Sequence, residues 1–236
     1  MDLGSFERIV VLTGAGISAE SGIRTFRDQN GLWEDHAIED VASPEGFRRN
    51  PDLVHRFYNA RRAQLRDPLL KPNAAHLALA QLEKEFQGDF LLVTQNVDNL
   101  HKRAGSKNFL QMHGRLDSCF CEICSAQWDW AQDLSTSHLC QRCKSSSSLR
   151  PDIVWFGEMP RYMDDIFTAL HTCDLFISIG TSGHVYPAAG FVQMAQSAYK
   201  IEVNLSDTEI STDFHQRRIG SATQEVPKLV EDILKT

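Results

Sequence analysis

Two pairs of thiols, Cys121-x-x-Cys124 and Cys140-x-x-Cys143, are separated by fifteen residues in a chain of 236. That is zinc-ribbon spacing. Four thiolates close the shell of a zinc ion, so such a metal is structural and keeps no open position for water. The stretch around them has too little apolar content to fold alone, and the metal supplies the missing stability. Five of the six cysteines lie between Cys119 and Cys143, a clustering that favours metal over disulfides in a reducing compartment. Cys119 is an extra thiol that could compete with Cys121. Cys173, alone at a helix-to-strand junction, reads as a small buried hydrophobe.

A second group of chemically active types follows the apolar run Phe90–Thr94: Gln95, Asn96, Val97, Asp98, Asn99, Leu100 and His101. Amides and acids at the carboxyl end of a buried strand are what an α/β sheet offers a ligand. The same types form turns and caps, yet so many in succession exceed what capping needs, which points to a site. His113-Gly114 follows a third short strand, Phe109–Met112. Its imidazole can be a satisfied core group or a general base near neutral pH, and position alone leaves both open.

Gly14, Gly16 and Ala19 complete a G-x-G-x-x-A pattern directly after the apolar strand Ile9–Leu12, with Ser18 able to cap a following helix. Such a loop lets backbone N–H groups approach a pyrophosphate. An ordinary tight turn explains the pattern equally well. Glu34 or Asp35 falls where a ribose-binding acid is expected, and neither carries weight. Gly22, Gly31 and the pair Phe26-Arg27 extend the loop further, as in a ligand cover. Val54, Tyr58, Arg61 and Leu65 share one helix face. Spacing favours an Arg61 that packs its stem and snorkels its head to water; the alternative is a Tyr58–Arg61 pair aimed at an anionic group.

These groups need a scaffold. Short apolar strands at Ile9–Leu12, Phe90–Thr94, Leu175–Ile179 and Lys200–Val203 alternate with helical patterns, and each ends in a polar or glycine-rich loop. The segment from about Asp35 to Asp67 is helix-prone. Ala75, Leu79, Leu82 and Phe86 mark a helix ended by Gly88. Met163–Leu170 marks another, Pro187 opens one, and a closing helix buries Val226–Leu234 with Pro227 near its start. Arg217–Gly220 suits an edge strand. The expected class is α/β, a Rossmann-like parallel sheet with helices on both faces, plus a smaller inserted zinc-binding module and helical segment. Residues 1–34, 71–114 and 154–236 would form the sheet domain, and 35–70 with 115–153 the small one. One crevice should run along the carboxyl edge of the sheet, and a dinucleotide fits it.

Hydrophobic content of 42% with a net charge of −7 is ordinary for a globular chain and argues against nucleic acid as a partner. No apolar run approaches the roughly 20 residues of a membrane span. The sequence carries no signal-peptide pattern, so a cytoplasmic location and no membrane partner are expected.

With GAGIS, TQNVDNLH, His113-Gly114 and the two CxxC pairs in this order, the chain resembles a sirtuin, an NAD-dependent protein-lysine deacylase, from Arg8 to the last helix. GIRTFR at Gly22–Arg27 and FYNARR at Phe57–Arg62 are similar to the bacterial class III branch, whose eukaryotic relative prefers acidic acyl groups. The wider family commonly has Pro-Asp where this chain has Arg24-Thr25. The resemblance implies that His113 is the general base, with Asn96 and Asp98 orienting the reacting ribose and nicotinamide. NAD, a consumed cosubstrate, would be held by Gly14, Ala15, Gly16, Ile17, Ser18, Ala19, Glu20, Thr25, Phe26, Arg27 and Trp33. Gln95 and Val97 would add to the nicotinamide pocket, and Gly180, Thr181, Ser182, Asn204, Leu205, Ser206 and Ala222 to the adenosine half. Val154, Phe156 and Gly157 would pair with a substrate peptide as an added strand. Tyr58 and Arg61 would recognise a succinyl or malonyl carboxylate, and acylated lysines of proteins would be the partners. Cys121, Cys124, Cys140 and Cys143 would hold one structural zinc.

The implied chemistry has the acyl oxygen attack the ribose carbon as nicotinamide leaves; His113 then deprotonates a ribose hydroxyl, which attacks the acyl carbon, and water completes the reaction, releasing free lysine and an O-acyl-ADP-ribose. Three alternatives stand beside it: a deacetylase with Tyr58 and Arg61 structural, a zinc-containing NAD oxidoreductase, and a zinc-ribbon adaptor. A closed thiolate shell disfavours the oxidoreductase, and the acidic charge disfavours a nucleic-acid adaptor.

Overall fold

Ile9, Val10, Val11 and Leu12 are all buried because strand β1 (Arg8–Thr13) lies inside a sheet covered on both faces. The computed structural model of the chain describes residues 6–24, 32–33 and 36–235. A 3-10 helix, Ala15–Ser21, follows β1, and β2 (Leu32–Trp33) pairs antiparallel with β3 (His36–Ala37). Helices α1 (Ile38–Val41), α2 (Pro44–Arg49), α3 (Pro51–Leu65) and α4 (Ala74–Glu85) lead to β4 (Asp89–Thr94). After α5 (Leu100–Ala104) and β5 (Phe109–Gln111) come β6 (Gly114–Cys121), β7 (Gln127–Asp129) and β8 (Leu149–Ile153). The chain ends with α6 (Met163–Thr172), β9 (Leu175–Ile179), α7 (Phe191–Met194), β10 (Tyr199–Asn204), β11 (Gln216–Ile219) and α8 (Ala222–Leu234).

Six strands form a parallel sheet in the order β11-β10-β9-β1-β4-β5. From β1 the chain runs outward through β4 to β5, then returns to the other side of β1 and runs outward again. The reversal leaves a crevice beyond the carboxyl ends of β1 and β9. Strand alternation divides the core: Ile9 and Val11 pack with Leu79, Leu82, Val226 and Leu229 of α4 and α8. Val10 and Leu12 pack with Ile166, Leu170, Phe191 and Val192 of α6 and α7. The expected α/β architecture is present, helices on both faces included.

Strands β7-β6-β8 form a separate antiparallel sheet. Val41, Phe47, Val54, Phe57 and Tyr58 from the helical segment share one apolar cluster with Leu116, Ile153 and Trp155 from that sheet and its exit.

Several local expectations need correction. The segment 35–67 is divided because Ser43 and Asn50 each precede a proline at the first helical position. Their side chains cap Gly46 N at 2.9 Å and Leu53 N at 3.1 Å, starting new helices. Helix α4 ends at Glu85, with Phe86 already extended, so Gly88 lies in the turn beyond. Pro187 precedes a 3-10 turn and only then the short α7. Pro227 lies inside α8, past its first turn. No helix among the described residues is long and apolar enough to cross a membrane.

Candidate active site and metal centre

The loops after β1 and β9 meet backbone to backbone at the reversal point. Gly14 N donates to Ile179 O at 3.0 Å and Gly16 N to Gly180 O at 2.9 Å. A Cβ on Gly16 would stand 2.6 Å from Gly180 Cα, and one on Gly14 2.7 Å from Gly180 O. These glycines therefore join two loops, a need that a G-x-G pattern does not reveal. Gly16→Ala should destabilise the fold by about 1–3 kcal/mol through overpacking, read as a lower denaturant midpoint; an unchanged midpoint would mean the loops part freely.

Ser18 caps nothing. It sits inside the 3-10 helix, buried, and its hydroxyl donates to Asp98 Oδ2 at 3.0 Å. Asn96 Nδ2 donates to Gly14 O at 3.0 Å and to Ser18 Oγ at 3.2 Å. Leu100 N donates to Asp98 Oδ1 at 2.9 Å, and Gln111 Nε2 to Asp98 O at 2.8 Å. Both side chains are thus fixed from several sides at the mouth of β4. Burial pushes the Asp98 carboxyl up, against the bonds from Leu100 and Ser18.

Beneath them lie histidines that sequence reasoning missed as partners. His76 Nε2 is 3.4 Å from Ser18 Oγ, and His101 Nε2 is 3.0 Å from Thr13 Oγ1, which itself donates to Thr94 Oγ1. The His76 and His101 rings lie 4.8 Å apart. The available signal for His76 was its place three residues after Asn73, with which it closes a capping box. Burial pushes His76 down to about 4 and His101 to about 3, the latter also repelled by His76. Unfolding releases both to the ordinary value near 6.5. The unfolded chain then binds more protons below that value. Stability should be full above about pH 6.5 and fall by about 1.4 kcal/mol per pH unit per histidine towards pH 4. Thermal midpoints across that range would check it; a flat profile would contradict the buried pair.

His113 Nδ1 lies 3.1 Å from Gln95 O. A carbonyl only accepts, so Nδ1 carries the proton and Nε2 keeps its lone pair. Burial lowers the His113 pKa, and the Gln95 bond opposes that. A neutral imidazole with an unprotonated Nε2 can act as a base.

A crevice of about 970 Å³ joins these parts. It is lined by Gly14, Ala15, Gly16, Ser18 and Ala19 from the first loop, and by Gln95, Asn96, Val97, Asp98 and His113 around β4 and β5. Gly180, Thr181, Ser182, Asn204, Leu205, Ser206 and Ala222 line its other half, and Tyr58, Arg61, Val154, Phe156 and Gly157 also border it. Asn204 Nδ2 donates to Thr181 O at 2.7 Å, tying the β9 and β10 loops. Two expected cofactor contacts lie elsewhere. Ile17 is fully buried in the core cluster. Glu20 accepts from Thr223 N at 3.1 Å and Thr223 Oγ1 at 2.7 Å, so its charge caps the start of α8. Thr25, Phe26, Arg27, Gly31, Glu34 and Asp35 lie outside the described residues, and Trp33 is described only by its backbone in β2.

Arg61 does not snorkel. It is 8% exposed, its Nη1 donates to Phe57 O at 2.6 Å, and its guanidinium stands 3.2 Å from the centre of the Phe57 ring. Tyr58 is fully buried and accepts from Trp155 Nε1 at 2.9 Å; burial pushes its phenol pKa up. Val154 N and Phe156 N donate to His113 O and Ala42 O within the chain. An added strand would therefore use other backbone groups of that segment.

The four cysteines of the two pairs converge, all Sγ atoms lying within 4.8 Å of one another. Sγ of Cys121 is 3.7 Å from that of Cys143, and Cys124 is 3.6 Å from Cys140. Bonds of about 2.3 Å to a tetrahedral zinc require edges of about 3.8 Å, so the set fits. The thiolates are positioned for a structural zinc. Cys119 is outside the group, buried, and burial pushes its thiol up to about 12. Stripping the metal with a chelator should lower the thermal midpoint and loosen β6–β8, because the module's own apolar cluster is small. An unchanged midpoint would mean that cluster suffices.

The Sir2 family model matches residues 14–187. An NAD-dependent protein deacylase of Bdellovibrio bacteriovorus (strain ATCC 15356 / DSM 50701 / NCIMB 9529 / HD100) is 63% identical over 235 residues, covering 100% of both chains. The solved structure of a Sir2 homolog–NAD complex superposes with a TM-score of 0.88 at 35% identity, covering 98% of this chain and 90% of the other. That of Sir2Af2 bound to a myristoylated histone peptide gives 0.75 at 33% identity, covering 98% and 92%. The chain belongs to the Sir2 family.

Proposed function

We propose that the protein is an NAD-dependent protein-lysine deacylase that removes acetyl and also succinyl or malonyl groups. The observation that carries the reading is His113, held by Gln95 O with Nε2 as its basic nitrogen, on the wall of the same crevice as Asn96 and Asp98. NAD is a substrate here: acyl-lysine, NAD and water give free lysine, nicotinamide and O-acyl-ADP-ribose. Its adenosine half would lie along Gly180–Ser182 and Asn204–Ser206, and its reacting ribose beside Asn96 and Asp98. Those two side chains do positioning work. His113 takes a proton from a ribose hydroxyl, which makes that oxygen the nucleophile towards the acyl carbon. The acyl-lysine would enter past Val154, Phe156 and Gly157, with Tyr58 and Arg61 at the acyl end. A Sir2 relative bound to a myristoylated histone peptide supports acylated lysine as the substrate class.

The second reading, a deacetylase with Tyr58 and Arg61 structural, draws on the hold that Phe57 keeps on Arg61. A buried guanidinium bordering the crevice favours the first. Incubation with NAD and matched acetyl-lysine and succinyl-lysine peptides separates them. Nicotinamide release with loss of acyl mass from both is expected. Loss of acetyl alone would establish the second reading, and no release from either would refute both.

A further inference from the structure

Strand β8 leaves the metal-binding sheet, where Leu149 pairs with Cys121 and Arg150 with Phe120. Arg150 is buried, its side chain 6% exposed. Its guanidinium grips both carboxylate oxygens of Glu158, at 2.9 Å from Nη1 and 2.7 Å from Nη2. Nη2 also donates to Ile153 O at 2.9 Å, and Nη1 lies 3.4 Å from Oε1 of Glu122, the neighbour of Cys121. The flat of the same guanidinium stands 3.6 Å from the centre of the Trp155 ring. Glu158 Oε2 in turn accepts from Trp155 N at 2.8 Å. Trp155 is therefore held at its backbone and at its ring. Its indole N–H donates to the Tyr58 hydroxyl.

We propose that Arg150 is a positioning residue for the acyl pocket: clamped to Glu158 and stacked on Trp155, it fixes the indole that orients Tyr58. The inference rests on the reading of Tyr58 and Arg61 as the acyl-binding pair. A buried cation is costly, and an apolar side chain could fill the same volume. What the planar guanidinium alone supplies is a fork for Glu158 and a face for the indole at once. The indole donor engages the Tyr58 oxygen as acceptor at 2.9 Å, which fixes where that hydroxyl stands on the crevice wall. The strut thus runs from the metal-binding sheet through Arg150 and Trp155 to the far end of the acyl site.

Arg150→Lys keeps the charge and loses the fork; Trp155→Phe keeps a ring and loses the donor. Arg150→Lys should raise KM for a succinyl-lysine peptide about tenfold, the size of one lost charge-assisted hydrogen bond, with KM for NAD and for an acetyl-lysine peptide within about twofold. Trp155→Phe should shift the succinyl-to-acetyl KM ratio in the same direction. In 15N spectra the Trp155 indole proton, assigned through Trp155→Phe, should exchange with solvent about tenfold faster in Arg150→Lys than in the wild type. Equal rises in both peptide KM values, or unchanged indole exchange, would overturn the strut. If Arg150→Lys fails to fold, a folded Trp155→Phe with the wild-type ratio overturns it. Wild type that ignores succinyl-lysine refutes the carboxylate reading by itself, and the indole exchange then decides the strut.

Discussion

His113→Tyr should lower deacylation by about 10²–10⁴-fold, the usual contribution of a positioned general base, while the fold, the zinc content and NAD binding persist. Its imidazole is half-buried beside the crevice with Nδ1 committed to Gln95 O, so no core cluster depends on it. The loss should fall on acyl transfer rather than on nicotinamide departure, because in the proposed mechanism His113 takes a proton from a ribose hydroxyl only after that bond has broken. The pH profile supplies a second check. Burial holds the His113 pKa below its ordinary 6.5, and the neutral form is the base. The acid limb of kcat/KM should therefore lie below about pH 6.5, with a plateau above it. A variant that turns over at the wild-type rate would place the base elsewhere.

Arg61→Met should reduce desuccinylation by tens-fold, equivalent to about 1.5–3 kcal/mol for a lost charge-assisted contact. Deacetylation should change far less, since an acetyl group carries no carboxylate. Methionine fills the volume of the stem, so Phe57 and Tyr58 keep their packing. Two features of the fold would strengthen such a contact. Arg61 is withdrawn from water, where a carboxylate meets less screening. The Phe57 carbonyl and ring hold the guanidinium in place before any ligand arrives, which lowers the ordering cost of binding. Equal losses with both acyl peptides would make Arg61 a structural residue.

Position along the chain was a sound guide where one element makes its own case. The strands Ile9–Leu12 and Leu175–Ile179 are continuous apolar patterns found within a residue of their expected bounds, and the periodic inner face of α8 ends at Leu234 as expected, although the helix begins four residues before Val226. The cysteine pairs were legible for the same reason: two short knuckles carry their own geometry. Helix ends were less legible. Ser43-Pro44 and Asn50-Pro51 are start signals embedded in a polar stretch, and a pattern reading that sums over the stretch misses them. Ser18 was read as a local cap and proved to be a long-range hydrogen-bond partner of Asp98. The partner of the Glu20 carboxylate, Thr223 at the start of α8, lies 203 residues away and leaves no local signal.

The α/β class, the strands of the parallel sheet in their chain order, the identity of the four thiolates and the polar edge from which a site could be built were legible in the sequence; strands β6, β7 and β8 of the metal-binding sheet were not. The legible properties are local, set by periodicity, spacing and side-chain chemistry. Tertiary structure alone decided which of those polar groups meet. It put Gly16 against Gly180, closing the loops of two strands that lie adjacent only because the chain reverses at β1. It left Cys119 outside the metal group, although Cys119 stands only two residues before Cys121 on β6. It buried Arg61 with Phe57 instead of letting it reach water, and set Trp155, from the far end of β8, against Tyr58. The reason is physical: the free energy of a buried polar group depends on partners supplied by other elements, and a linear pattern holds no record of them.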